Sequence, residues 1–246
     1  ARTVKVKVEQ TVANNGTKQD AVINITQNPG SVKKGAPTFY QFGRKDAFPG
    51  VDASKLAANS HFTQNAGDNM SIMNGIQHPD NFYTNGSSWY SSPPTGYSYY
   101  NLWSTDNTAT DFNDNPVVKT VYDPCPVGFK MPASNAFTGF TTTGQYSSTQ
   151  SEFNIDGTGD LQTYQNNFGH NFWTNSSKSV TINFPASGYR DYNDGSLDGV
   201  GSGGDCWSVA PIGANNGCIL DFTSGYVDPL SYYARSSGFA ARPVSE

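Results

Sequence analysis

Apolar and charged positions alternate at the start of the chain, where Val4, Val6 and Val8 are interleaved with Lys5, Lys7 and Glu9. A period of two is the pattern of a strand with one buried face. Residues 21–26 (Ala21, Val22, Ile23, Asn24, Ile25, Thr26) predict a second strand, and Asn14, Asn15 and Gly16 supply turn chemistry between the two. A lone hairpin is marginal in water. These strands must therefore pack on the main domain or on a preceding β-sandwich of which they are the remnant. Residues 28–37, with Pro29, Gly30, Gly35 and Pro37, read as a linker. The expected division is a short N-terminal β unit over 1–37 and a larger domain over 38–246.

From Phe39 onward the regular alternation gives way to short apolar runs between turn residues. Strands are predicted at 38–43, 179–184, 218–223 and 238–244, and a short helix follows Ser134, which could cap residues 135–140. The connection over 84–98, rich in Ser, Gly and Pro, exceeds ordinary loop lengths. Composition supports this picture. Only 14% of residues are charged, and Asn, Ser, Thr and Gly fill the gap; these residues loosen helices. The 14 Tyr, 15 Phe and 4 Trp are too many for a disordered chain and suit a loop-rich fold held by aromatic burial.

Charge divides the chain unevenly. Residues 1–45 hold eight of the 15 basic residues and two of the 20 acids, leaving seven basic against 18 acidic residues, a net −11, in the rest. The overall charge of −5 argues against nucleic acid, whose binding rests on phosphate neutralisation. No apolar run is long enough to span a bilayer. The first residue is Ala rather than Met, which fits a processed, secreted protein or an excised fragment. Cys125, Cys206 and Cys218 form neither a zinc site nor a disulfide framework, although Cys206 and Cys218 could bond after export.

Several segments occur in a recognisable order: residues 38–50, 76–83 and 100–103, then Asp123, Pro124, Cys125, Pro126, Gly128, Phe129 and Pro132 within 119–132. Gly188 to Arg190, Cys206 to Ser208 and the closing Gly238, Phe239, Arg242, Pro243 and Val244 complete it. The order resembles the C-terminal domain of fimbrillin-associated surface proteins of gut anaerobes. The resemblance implies an α+β, C-type-lectin-like fold over 38–246, loop-rich, with antiparallel strands and one or two short helices. It also implies that the first and last strands, 38–43 and 238–244, pair, with Phe39 and Phe42 against Phe239 and Val244.

Residues 207–244 are similar to the variable region of diversity-generating retroelement proteins, in which a fixed frame alternates with diversified binding positions. The frame here would be Trp207, Ser208, Pro211, Leu220, Phe222, Ser224, Gly225, Val227, Pro229, Arg235, Gly238 and Phe239. The resemblance makes Ile212, Asn215, Asn216, Cys218, Tyr226, Asp228, Leu230, Ser231, Tyr232, Tyr233 and Ser236 the candidate ligand-binding positions. The residue types agree independently, because Tyr gives large contact area at low entropic cost and Ser and Asn give adaptable hydrogen bonds. Tyr232 and Tyr233 are adjacent, so on a strand one of them faces inward.

Catalysis has little support. His61, His78 and His170 are scattered without metal-ligand spacing, and no nucleophile elbow or phosphate loop occurs. The lectin-like fold is also similar to that of formylglycine-generating enzymes, which use cysteine, but the surrounding motif is missing around Cys206 and Cys218. Asp111, Asn113 and Asn115 have calcium-loop spacing, yet Pro116 replaces the Gly and Tyr122 the bidentate Glu. Asp191, Asp194 and Asp198 could gather around calcium, the one cofactor suggested; acidic Gly-rich stretches are more often solvated turns. The expectation is a non-catalytic, surface-displayed adhesin or receptor-like protein on a cell or a phage particle, binding a protein or glycan. The alternative is a structural pilus tip or assembly component, partnered through the pilus or a surface anchor by strand addition.

Overall fold

The computed structural model describes residues 34–51, 63–65, 69–86, 88–89, 102–105, 112, 115–213 and 215–246 in full, and residues 2–12 and 17–27 as backbone. The chain divides into two compact units, Ala1–Lys33 and Lys34–Glu246. In the first, β1 (Arg2–Val12) pairs antiparallel with β2 (Thr17–Gln27). Both strands are longer than the alternation predicts. Their register sets Val4 opposite Ile25, Val6 opposite Ile23 and Val8 opposite Ala21. The turn at 14–16 and the linker up to residue 33 lie outside the described residues, as does most of 84–98.

The second unit opens with β3 (Phe39–Gln41), β4 (Thr63–Gln64), α1 (Ile72–Gln77), β5 (Asn81–Phe82) and β6 (Phe129–Lys130). It continues through α2 (Leu161–Asn167), β7 (Gly169–Trp173), β8 (Thr181–Pro185), β9 (Tyr189–Arg190) and β10 (Leu197–Asp198). The last strands are β11 (Gly203–Ile212), β12 (Asn216–Thr223), β13 (Val227–Ala234), β14 (Gly238–Ala241) and β15 (Val244–Ser245). Seven of them form the main sheet in the order β10-β9-β14-β11-β12-β13, with β3 added against β14. β3 and β14 are antiparallel, Phe39 opposite Ala240 and Tyr40 opposite Phe239, as the resemblance implied for the two ends of the domain. Val244 does not join them; it pairs with Lys130 of β6. The β11–β14 pair is parallel, so the sheet is mixed.

This corrects the α+β, C-type-lectin-like expectation. Strand content is 37% against 13% helix, and the mixed sheet curls into a half-barrel. The reason lies in the residues available for helices. α1 and α2 have 6 and 7 residues, and the segment after Ser134 forms a tight 3-10 helix, Ser134–Phe140, instead of an α-helix. Asp160 accepts the Thr163 N–H at 3.0 Å to start α2, which ends at Phe168 in the left-handed conformation, φ 52°.

Alternation along β11 and β12 builds a core on each face of the sheet. Cys206, Leu220 and Phe222 point to one cluster with Phe137, Phe172 and Phe184. Trp207 and Ile219 point the other way, to Phe42, Trp103, Met131 and Phe239. Gly217 is a close-approach position: a Cβ there would lie 2.4 Å from the Phe42 ring. All three cysteines are buried, and the register sets Cys206 opposite Leu220 and Cys218 opposite Tyr232 instead of opposite each other.

Candidate functional site

Three carboxylates stand in one row across the last three hairpin strands. Asp205 of β11 is opposite Asp221 of β12, and Asp221 is opposite Asp228 of β13. Directly opposed residues of an antiparallel pair project to the same face, here that of Trp207 and Ile219. A register shift between Ile219 and Asp221 holds the third acid in line: β13 uses three steps, Asp228 to Ser231, against two on β12. Pro229 lies in that irregular stretch, where its missing N–H costs no ladder bond.

Each acid has a different environment. The Tyr226 hydroxyl lies 3.0 and 3.1 Å from the two Asp221 oxygens and donates to them, while its ring stacks on Tyr146 at 5.9 Å. Asp228 accepts the Leu230 N–H at 3.2 Å. Asp205 is 8% exposed and, among the described residues, no hydrogen bond offsets its burial. Among the described residues no Lys, Arg or His forms an ion pair with the three acids. Burial, reinforced by the Asp221 charge, pushes the Asp205 carboxyl well above its ordinary range. Asp221 is pushed up to about 6 by burial, with the Tyr226 hydrogen bond opposing and the Asp228 charge assisting.

The curl of the sheet adds a rim of tyrosines. Tyr233 on β13 reaches across β12 and β11 to Phe239 of β14, ring centroids 5.6 Å apart, and to Tyr192 at 5.7 Å. Tyr189 of β9 also packs on Phe239, ring centroids 6.0 Å apart. Tyr189 is pushed up to about 12 by burial and then by the charges of Asp198, Asp191 and Asp205, with Tyr233 also contributing. Tyr233 is raised by burial and by a set of neighbours that includes Tyr192, Asp205 and Asp221. The rim and the acids therefore share one field. Tyr233 remains 38% exposed, so the face is open to solvent.

The sequence-predicted positions divide into three groups. Tyr226, Asp228, Ser231 and Tyr233 belong to this face: Ser231 is opposite Ile219, and Tyr233 opposite Gly217. Ile212, Asn215 and Asn216 form the β11–β12 hairpin tip, which Arg235 fastens by donating to the Asn216 carbonyl at 2.9 Å and the Gly213 carbonyl at 2.8 Å. Tyr232, opposite Cys218, points to the other face, and Leu230 is half-buried beside Pro229. Cys218 and Ser236 are each 1% exposed, which corrects their place among ligand-contacting residues. Trp207, Leu220, Phe222, Val227 and Phe239 are interior as well.

Asp205, Asp221, Tyr189, Tyr192 and Tyr146 escape the sequence reading. The available signal was a charged residue inside an apolar run, as in Ile219, Leu220, Asp221 and Phe222. Asp191, Asp194 and Asp198 instead turn onto their own loop, accepting the N–H groups of Asn193, Ser196 and Gly199. Among the described residues no group of three His, Cys, Asp or Glu could hold a metal ion. Asp111 and Asn113 lie outside the described residues, as does His61. His170 is a core residue whose Nε2 lies 3.0 Å from the Thr223 carbonyl. Burial pushes it down to about 4, against that hydrogen bond. No helix among the described residues is long and apolar enough to cross a membrane.

Residues 168–244, which carry nearly all of this face, match a family model described as a domain of unknown function (DUF8237). No curated protein and no solved structure matches the chain.

Proposed function

We propose that the chain is a non-catalytic, surface-displayed ligand-binding protein, adhesin- or receptor-like, whose binding surface is the open face of the curled sheet. The observation that carries this reading is the separation of roles on β11–β14. Trp207, Leu220, Phe222, Val227 and Phe239 are packed inside, while the partly exposed Tyr233 and the half-buried Asp221 and Asp228 stand above them with Tyr192. Such a surface engages a protein or glycan by complementarity, with rigid aromatic anchors and polar groups for orientation. The likeness of 207–244 to diversified variable regions fits the same division, since substitutions at Tyr226, Asp228, Ser231 and Tyr233 would leave the core intact.

Binding of the purified chain to glycan and peptide arrays tests the reading. The Y189A/Y233A double variant is expected to lose array binding by about tenfold or more, as removal of aromatic anchors does; unchanged binding sinks the proposed face. Sequencing the gene from independent isolates tests diversification. Substitutions concentrated at 212–236 and sparing Trp207, Val227, Pro229 and Phe239 are expected, and an even spread would leave a fixed specificity.

A second reading, a structural pilus tip or assembly component, is favoured by β1 and β2. Among the described residues this two-stranded sheet has no third strand, so both outer edges offer backbone groups for strand addition by a neighbouring subunit. The two readings coexist in a tip adhesin.

A further inference from the structure

We propose that the row formed by Asp205, Asp221 and Asp228 receives an organic cation, a guanidinium or alkylammonium group carried by the ligand, between tyrosine walls. This names the chemistry of the ligand and rests on the ligand-binding reading of the same face.

The first observation is a row of three acids without a basic partner. Like charges directly opposite each other on neighbouring strands are destabilising, and the register produces two such pairings in succession. No described basic side chain pairs with them. Sequences break a local rule of this kind chiefly where function requires it.

The second is Asp205 itself. Its side chain is more than nine-tenths buried, has no hydrogen-bond partner among the described residues, and projects onto the open face through its pairing with Asp221. A carboxylate withdrawn from water is costly until it is paired and hydrogen-bonded. A multi-donor cation supplies both. Asp221, by contrast, is already engaged by Tyr226, so the acceptor left over is on the inner side of the row.

The third is the aromatic wall. Tyr226 on Tyr146 closes one side of the row, and the Tyr233–Tyr192 pair stands at another. Ring faces attract ammonium and guanidinium groups, and a planar guanidinium also matches carboxylates in a two-pronged geometry. An inorganic cation fits less well. The absence of a metal-holding group among the described residues agrees.

The test is an NMR titration of the full chain, following backbone amides of β11–β13, with four separate probes: N-acetyl-arginine amide, N-acetyl-lysine amide, the neutral N-acetyl-citrulline amide and calcium chloride. The cationic amides are expected to move the signals around Asp205 and Asp221, and the citrulline amide to leave them in place. D205N and D221N should each weaken cation binding about tenfold, the usual loss for one charge-assisted hydrogen bond, while D156N, at an exposed site elsewhere, should not. Thermal unfolding of D205N and D221N at or above the wild-type temperature establishes that the loss is not misfolding. Absence of shifts with both cationic amides overturns the proposal, and so does equal binding of the citrulline amide, which would keep the face as a binding surface without charge selectivity. Shifts with calcium chloride in place of the amides overturn it in favour of a metal. Array binding that survives Y189A/Y233A is a separate failure, that of the ligand-binding reading itself.

Discussion

Asp221 shows how a single side chain records the tension in this face. Its carboxyl lies near 6, above the ordinary value of 3.8, because burial and the facing Asp228 outweigh the hydrogen bond from Tyr226. The groups that face it are Asp205, Asp228 and Tyr226, none of them cationic. A carboxyl raised in the folded state favours folding below its unfolded value, and that contribution is lost as pH rises through about 4 to 6. Two units correspond to at most about 3 kcal/mol. The wild-type unfolding temperature is therefore expected to fall between pH 4 and pH 7. D221N should flatten that fall and raise the temperature at pH 7 by roughly 5 °C for a unit of this size. Calorimetry across that pH range checks both, and a parallel fall in D221N would place the cause elsewhere.

Among the elements, the short strand β3 has an effect beyond its three residues. Gln41 uses its full hydrogen-bonding capacity while fully buried: Nε2 donates to the Tyr83 carbonyl at 2.7 Å and the Ser236 carbonyl at 2.6 Å. Its Oε1 accepts from the Tyr83 N–H and from Arg44. The strand thereby joins β14 to the 81–84 segment and fixes the frame on which Phe239 and the tyrosine rim rest. Gln41→Ala would strand several buried partners, each costing about 1–3 kcal/mol, and is expected to destabilise the unit by about 3 kcal/mol or more in a denaturant titration. The sequence announces the strand through Phe39 and Phe42 and the closing Phe239. It does not announce Gln41, because a polar residue in a short strand looks solvent-facing until its partners, 42 and 195 residues away, are in place.

For the molecule as a whole, the two compact units separate the readings. If binding resides in the open face, residues 34–246 alone should bind the array ligands as tightly as the full chain, within about twofold, with an unchanged unfolding temperature. If strand addition through β1 and β2 mediates assembly, the same truncation should abolish self-association measured by sedimentation. The sequence by itself determined a good deal. Period-two alternation gave the N-terminal hairpin, clustered aromatics gave a packed loop-rich domain, and adjacent tyrosines pointed to the 226–236 segment. These are local properties, written into consecutive residues. Only the tertiary structure decided that Asp205, Asp221 and Asp228 stand in one row, because a shift of one residue in pairing would send each acid to the opposite face. It alone brought Tyr189 and Tyr192 to Tyr233, since the curl of a mixed sheet depends on the order of its strands. It also withdrew Cys218 and Ser236 into the interior, where neighbours distant in sequence cover them.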